Sequence, residues 1–254
     1  MRVLLVAGSP EPSSAATLSE LAREAETVVA IDRGAEVCRA AGIVPDAFCG
    51  DADTVSADTL AWVRDHASAS AAATTGQHLD VTPADDVRET PQIRGLHGEL
   101  GIRLFPPAKY DTDLSLGFAC ARQIASERGE DLEVTVTCAS AGRMDHALAV
   151  FGVLASNADL APSLVEDAFT CRILSPCGTQ TWELGERACG CHFSFVALAD
   201  ASVVSERGMR WELDHFRVDA LRDRGISNVI DADDAAITCH VGIVAAFLIR
   251  QVLF

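Results

Sequence analysis

No run of apolar residues in this sequence reaches the roughly 18 that a membrane helix requires. The opening Met1-Arg2-Val3-Leu4-Leu5-Val6-Ala7-Gly8 is too short, and too weakly flanked by basic residues, to read as a secretory signal. A cytoplasmic chain is expected. Basic residues are scarce, at 20 against 37 acidic ones, for a formal charge of −17. Such a surface repels nucleic acid and anionic lipid, so neither is expected as a partner. An anionic substrate would have to be met locally, by a metal ion, a few basic side chains or backbone amides. Paired cysteines at CxxC spacing are absent, and the nine cysteines are odd in number, so reduced thiols are expected. Cys189-Gly190-Cys191-His192 has too close a spacing for an ordinary zinc site. Cys171, Cys191 and Cys239 sit in alternating apolar runs and read as small core residues. There is no GxxxxGK[ST] loop and no GxSxG elbow, which sets aside a P-loop kinase and an α/β-hydrolase. Gly8-Ser9-Pro10 is not a dinucleotide fingerprint.

What is present is a globular composition, with 49% hydrophobic and 22% charged residues over 254 positions. In the first 160 or so residues, short apolar runs alternate with helical patterns. Strands are expected at Val3 to Ala7, Thr27 to Ile31, Asp46 to Cys49, Ile102 to Phe105 and Val134 to Cys138. Helices are expected at Ser13 to Glu26, through Val37 and Ala41, and at Ser56 to His66 with Leu60 and Val63 inward. Two more follow Thr112, a good N-cap, and Arg143. The latter carries Met144, Ala147, Leu148, Phe151, Leu154 and Ala155 on one face. Alternation of strand and helix implies crossovers and an open, mostly parallel sheet. From about Phe169 the apolar runs become short and alternating, which predicts an all-β sandwich. The expected domains are an α/β domain over 1–162 and a β-sandwich over 163–254. Residues 67–101 read as an extended insertion, or as one holding a short helix near Pro83 to Arg88.

Three acidic clusters are expected beyond the carboxyl ends of the strands, where open parallel sheets bind ligands. They are Gly50-Asp51-Ala52-Asp53-Thr54, Lys109-Tyr110-Asp111-Thr112-Asp113 and Gly142-Arg143-Met144-Asp145-His146. In an extended segment Asp51 and Asp53 project to one side and can share a hard cation, for which magnesium is suited. Asp111 and Asp113 flank a helix start, where acids also complement the helix dipole. Arg143 either grips phosphate oxygens at a helix start or pairs with Asp145 at the surface.

These clusters, in this order, resemble the thiamine pyrophosphokinase family. The matching pieces are Asp32-Arg33-Gly34-Ala35, Pro45-Asp46, the Asp51 cluster, Lys109 to Asp113 and Ala141 to His146. Gly208-Met209-Arg210-Trp211-Glu212-Leu213 and Ser227-Asn228 follow in the second half. Departures from the family pattern are Arg33, Glu36, Thr54, Tyr110 and Gly225, together with the insertion. The resemblance implies transfer of the diphosphate of ATP to the hydroxyl of thiamine, releasing AMP. It implies Mg²⁺ held by Asp51, Asp53 and Asp113, and ATP met by Asp32, Lys109, Asp111, Thr112 and Arg143. Asp145 would orient Arg143 or help take the hydroxyl proton. Trp211, Ser227 and Asn228 would meet thiamine, with Trp211 stacking on its cationic rings; a buried sandwich tryptophan is the other reading of Trp211. The resemblance implies nucleotide binding and catalysis for the first domain, and thiamine binding and dimerisation for the second. A homodimer is implied, with the second domain of one chain facing the first domain of another. Two other activities keep the same acids: a diphosphokinase acting on another small alcohol, such as a hydroxymethylpterin, and a nucleotide-binding regulator without turnover.

Overall fold

The structure, a computed structural model, describes residues 1–70, 102–104 and 111–250. The expected insertion beyond residue 70, with Lys109 and Tyr110, lies outside the described residues. By packing, the chain divides into two units, Met1–Arg143 and Met144–Phe254.

In the first unit the elements run β1 (Arg2–Val6), α1 (Ala15–Glu24), β2 (Thr27–Ile31), α2 (Gly34–Ala40), β3 (Ala47–Gly50), α3 (Ala57–Ser70), β4 (Ile102–Leu104), α4 (Asp113–Arg128) and β5 (Glu133–Thr137). The strands form a parallel sheet in the order β5-β1-β2-β3-β4. Every residue of β2 and of β3 is buried, as expected for parallel strands covered on both faces. Leu4, Val6, Val28, Ala30 and Phe48 from the sheet join Leu18, Cys38 and Val63 from the helices in one core. Thr112 caps α4 as its sequence position predicts, its side chain accepting the Ser115 N–H. The helix ends at Gly129 in the left-handed conformation, whose N–H returns to the last-turn carbonyls. Helix α3 departs from expectation in two respects, the first being that it runs on from His66 to Ser70, into the expected insertion. The second is that Thr59, not Leu60, is fully buried beside Val63. Its hydroxyl donates to Glu36 Oε2 at 2.6 Å and accepts from Arg39 at 2.9 Å. A buried polar contact thus fixes α3 where apolar spacing predicted a leucine.

The second unit opens with α5 (Met144–Ser156) and continues as β6 (Ser163–Val165), β7 (Phe169–Leu174), β8 (Thr181–Glu183), β9 (His192–Ala197), β10 (Ser202–Arg207), β11 (Leu213–Val218), β12 (Asn228–Val229), β13 (Ala236–Val241) and β14 (Val244–Ile249). One antiparallel layer runs β12-β9-β14-β7-β6 and the other β11-β10-β13-β8. Leu174, Phe193, Phe195, Val244 and Ala246 of the first layer meet Trp182, Val204, Ile237 and Cys239 of the second, which makes a sandwich. The run Ala236 to Ile249, continuous in sequence, is split so that β13 and β14 lie in different layers. The change of sequence pattern falls near residue 162, whereas the division by packing falls at Arg143. Phe151 of α5 packs at a tilt against Phe247 of β14, with ring centroids 5.7 Å apart, which draws that helix into the second unit. The expected inward face of α5 is only partly realised. Of that face Leu154 is buried, while Met144 and Leu148 are 72% and 57% exposed; Val150, outside it, is buried instead. Cys171 and Cys239 are buried as expected, and Cys191 packs at the core's edge. No helix among the described residues is long and apolar enough to cross a membrane.

The turn from β2 into α2 depends on close backbone approach. A Cβ on Gly34 would lie 1.9 Å from the Val6 carbonyl oxygen. Gly34→Ala is therefore expected to cost about 1–3 kcal/mol of stability, as overpacking does elsewhere. Urea unfolding of parent and variant checks this, and coincident midpoints would contradict the packing.

Candidate metal and substrate sites

The turns after β2 and β3, and the start of α4, lie at the carboxyl edge of the parallel sheet. Asp32 follows β2 with φ 44°, a left-handed conformation that aspartate tolerates better than most residues. It is buried, and its Oδ1 accepts the Ala52 N–H at 3.1 Å. Its Oδ2 accepts the Thr54 hydroxyl, so the threonine at this departure from the family pattern anchors the first carboxylate. A Cβ on Gly50 would come within 2.9 Å of the Asp32 Cβ, so only glycine lets the β3 turn press this close. Glu36, another departure, accepts the Ser56 N–H at 2.8 Å as well as the Thr59 hydroxyl. Burial raises the proton affinity of Glu36, but the Ser56 and Thr59 hydrogen bonds prevail and hold its carboxyl below the ordinary value.

One carboxylate oxygen from each of Asp32, Asp51 and Asp113 lies within 4.8 Å of the others. Expectation placed Asp51, Asp53 and Asp113 together and gave Asp32 to the nucleotide. The difference arises at Ala52, whose φ of 62° is left-handed. Asp51 and Asp53 therefore do not alternate as in an extended strand. Asp53 stays exposed, with its N–H donating to Asp51 Oδ1 at 3.2 Å. Electrostatics record the crowding. Burial, opposed in part by the Thr54 hydrogen bond, raises the Asp32 carboxyl, and the charges of Asp113 and Asp51 raise it further. The Asp53 carboxyl is raised by its hydrogen bond and charge contact with Asp51.

The third cluster is placed less completely. Thr112 spends its hydroxyl oxygen on the Ser115 amide as a cap, and Asp111 is half-buried beside it. Arg143 is exposed at the end of the first unit, and Asp145 is exposed in the first turn of α5. Lys109 lies outside the described residues. Among the described residues, no His and Cys group gathers at Cys189 to His192.

In the second unit, Trp211 is 59% exposed, which rules out the buried reading; the buried tryptophan is Trp182, at 7%. The Arg210 guanidinium carbon lies 5.9 Å from the Trp211 ring centroid. Ser227 is exposed and left-handed at φ 63°, its N–H donating to Ser194 Oγ at 3.0 Å. Asn228 is buried below them. Sequence reasoning missed Glu206, which is 3% exposed on the inward face of β10. An acid at an inward position of an alternating strand was the available signal.

The chain was compared with known families and structures. The family model for the thiamin pyrophosphokinase catalytic domain matches residues 18–163, and that for its vitamin B1 binding domain matches residues 182–244. No curated protein matches the sequence. Among solved structures, the thiamine pyrophosphokinase of Bacillus subtilis is similar at a TM-score of 0.67 and 16% identity, covering 99% of this chain and 100% of that one. The Candida albicans enzyme gives 0.69 and 15%, covering 98% and 89%. The yeast enzyme gives 0.67 and 13%, covering 98% and 86%. At these identities the likeness shows the fold.

Burial pushes the Glu206 carboxyl up to about 7, although its bond from Asn228 opposes the shift. For an acid raised in the folded state, the stabilising share is full below the unfolded value of 4.5 and lost once the pH passes about 7. Over that window the parent is expected to lose up to about 3 kcal/mol relative to Glu206→Gln, which carries no such proton. Urea midpoints of both proteins from pH 4.5 to 8 measure this, and parallel pH curves would contradict it.

Proposed function

This chain belongs to the thiamin pyrophosphokinase family, and from that premise we propose how its residues divide the transfer of a diphosphate from ATP to the hydroxyl of thiamine. The observation that carries the reading is the convergence of Asp32, Asp51 and Asp113 at the sheet's carboxyl edge. Three hard carboxylate oxygens from separate segments, in a chain of −17, fit a magnesium ion better than they fit one another. Asp32, Asp51 and Asp113 would hold Mg²⁺, with Asp53 beside them to orient its water. When bound, the ion offsets phosphate charge and fixes the polyphosphate for in-line attack.

The remaining roles belong to the chain itself. Arg143 and Lys109 take further phosphate charge, and Asp111 and Thr112 line the nucleotide's approach at the start of α4. Asp145 orients Arg143 or accepts the hydroxyl proton as the thiamine oxygen bonds to the β-phosphorus and AMP leaves. Trp211 offers an exposed ring to the cationic rings of thiamine, and Ser227 lies at the same edge. The residues after 162 would then form the thiamine-binding domain. Exposed Met144 and Leu148 on α5 support a homodimer in which a second copy covers them. A cytoplasmic setting suits nine thiols without a CxxC pair.

Incubating the protein with ATP, Mg²⁺ and thiamine should yield AMP and thiamine diphosphate, with little product from a hydroxymethylpterin. AMP formed only with the pterin, or no AMP at all, would overturn the acceptor or the activity. Asp32→Asn, Asp51→Asn and Asp113→Asn should each lower kcat at least about 100-fold, equivalent to about 2.7 kcal/mol. Asp58→Asn, an exposed acid on α3, should leave kcat unchanged. Parent-like turnover in the first three at limiting Mg²⁺ would remove the metal site. Trp211→Ala should raise the KM for thiamine about 5- to 30-fold and leave that for ATP nearly unchanged. Equal loss for both substrates would refute a stacking role.

A further inference from the structure

We propose that Asn228 and Glu206 are positioning residues that hold Trp211 for stacking on the acceptor, an inference that rests on the assignment of Trp211 to thiamine above. An asparagine side chain has two N–H donors and two acceptor positions. In Asn228 all four are used inside the protein. Oδ1 accepts the N–H of Trp211 at 3.1 Å and that of Val229 at 2.9 Å. Nδ2 donates to the Trp211 carbonyl at 2.8 Å and to Glu206 Oε2 at 3.1 Å. Asn228 is 4% exposed, so it has neither capacity nor surface left for a ligand. Its role moves from touching thiamine to gripping both sides of the Trp211 residue.

The grip is one part of a longer seam. The Arg210 N–H donates to the Val229 carbonyl at 2.9 Å, and Met209 bridges Ile230. The Gly208 carbonyl accepts the N–H groups of Asp231 and Ala232, each at 3.0 Å, and Arg210 pairs with Asp231 at 3.1 Å. The loop between β10 and β11 is thereby tied down along its backbone while the Trp211 ring remains in solvent. A backbone held in place before binding leaves only the side-chain torsions to be ordered when the acceptor stacks on the ring.

Glu206 supplies the second, independent observation. Its Oε1 is buried and has no hydrogen-bond partner among the described residues, and its Oε2 meets Asn228 alone. Burying a half-satisfied carboxyl costs stability, and an apolar residue would serve the sandwich core better. The carboxyl does one thing a leucine cannot. It accepts the second Nδ2 hydrogen of Asn228, which fixes the amide with Oδ1 toward the Trp211 N–H. Glutamine at 206 retains a carbonyl oxygen for that purpose, and leucine retains none.

The test uses the full chain and two readouts, amide hydrogen exchange at Trp211 without substrates and the separate KM values for thiamine and ATP. Asn228→Ala and Glu206→Leu should speed exchange at Trp211 at least about 10-fold while exchange in β1 is unchanged. Both should raise the thiamine KM about 10-fold and hold the ATP KM within about twofold. Glu206→Gln should recover most of both effects. Should Glu206→Leu fail to fold, Asn228→Ala carries the test with Glu206→Gln as its companion. The proposal is overturned if Asn228→Ala leaves Trp211 exchange at the parent rate, or if it raises both KM values equally. It is also overturned if exchange rises while the thiamine KM stays put. In each of those cases Trp211→Ala decides the underlying reading: a raised thiamine KM leaves the role of Trp211 standing, and an unchanged one removes it as well.

Discussion

Repulsion among three carboxylates is the constraint around which the first unit is built. At an effective dielectric near 20, two charges under 5 Å apart repel by about 3–4 kcal/mol. With 37 acidic residues against 20 basic ones, the chain has little positive charge with which to dilute that cost. The cluster persists because each acid is fixed by a different part of the fold. Asp32 is pinned by Thr54 and the Ala52 amide, Asp51 follows the last residue of β3, and Asp113 starts a helix capped by Thr112. The raised carboxyl of Asp32 shows that the charged form is disfavoured there. A divalent cation would reverse the sign of that environment, which is what the proposed magnesium site rests on.

The second unit solves a different problem, that of presenting an aromatic ring to solvent without letting it wander. Its sandwich core is filled by Trp182, Phe193, Phe195 and Ile237. Trp211 lies outside that core, with its backbone N–H and carbonyl both bonded to the Asn228 side chain. Buried polar groups usually weaken a sandwich, and on the proposed role Asn228 and Glu206 trade stability for the placement of one loop. On the proposed roles, stability and function pull in opposite directions at Glu206, as they do at Asp32.

Much of this was legible in the sequence. Strand periodicity located the five parallel strands, Thr112 announced a helix start, and the acid clusters marked the sheet's carboxyl edge. The convergence of Asp32, Asp51 and Asp113 was not legible in full. A left-handed alanine at 52 carries no compositional signal, so the DxD pair read as extended. That Asp32 joins Asp51 and Asp113 was not legible because nothing local shows that the turns after β2 and β3 press together. The same limit applies to Thr59, buried through Glu36 and Arg39 some 20 positions away. Trp182 and Trp211 are alike by composition, and only the tertiary arrangement separates the core ring from the exposed one. Contacts between distant segments decided each of these cases, and short-range pattern does not encode them.

The central claim is that Asp32, Asp51 and Asp113 form one cation site. Mn²⁺ binding followed by electron paramagnetic resonance reads it without turnover. The account predicts one bound ion per chain in the parent protein, weakened at least about 10-fold by Asp32→Asn and by Asp113→Asn, and unaffected by Asp58→Asn. Parent-like Mn²⁺ affinity in Asp32→Asn would contradict it.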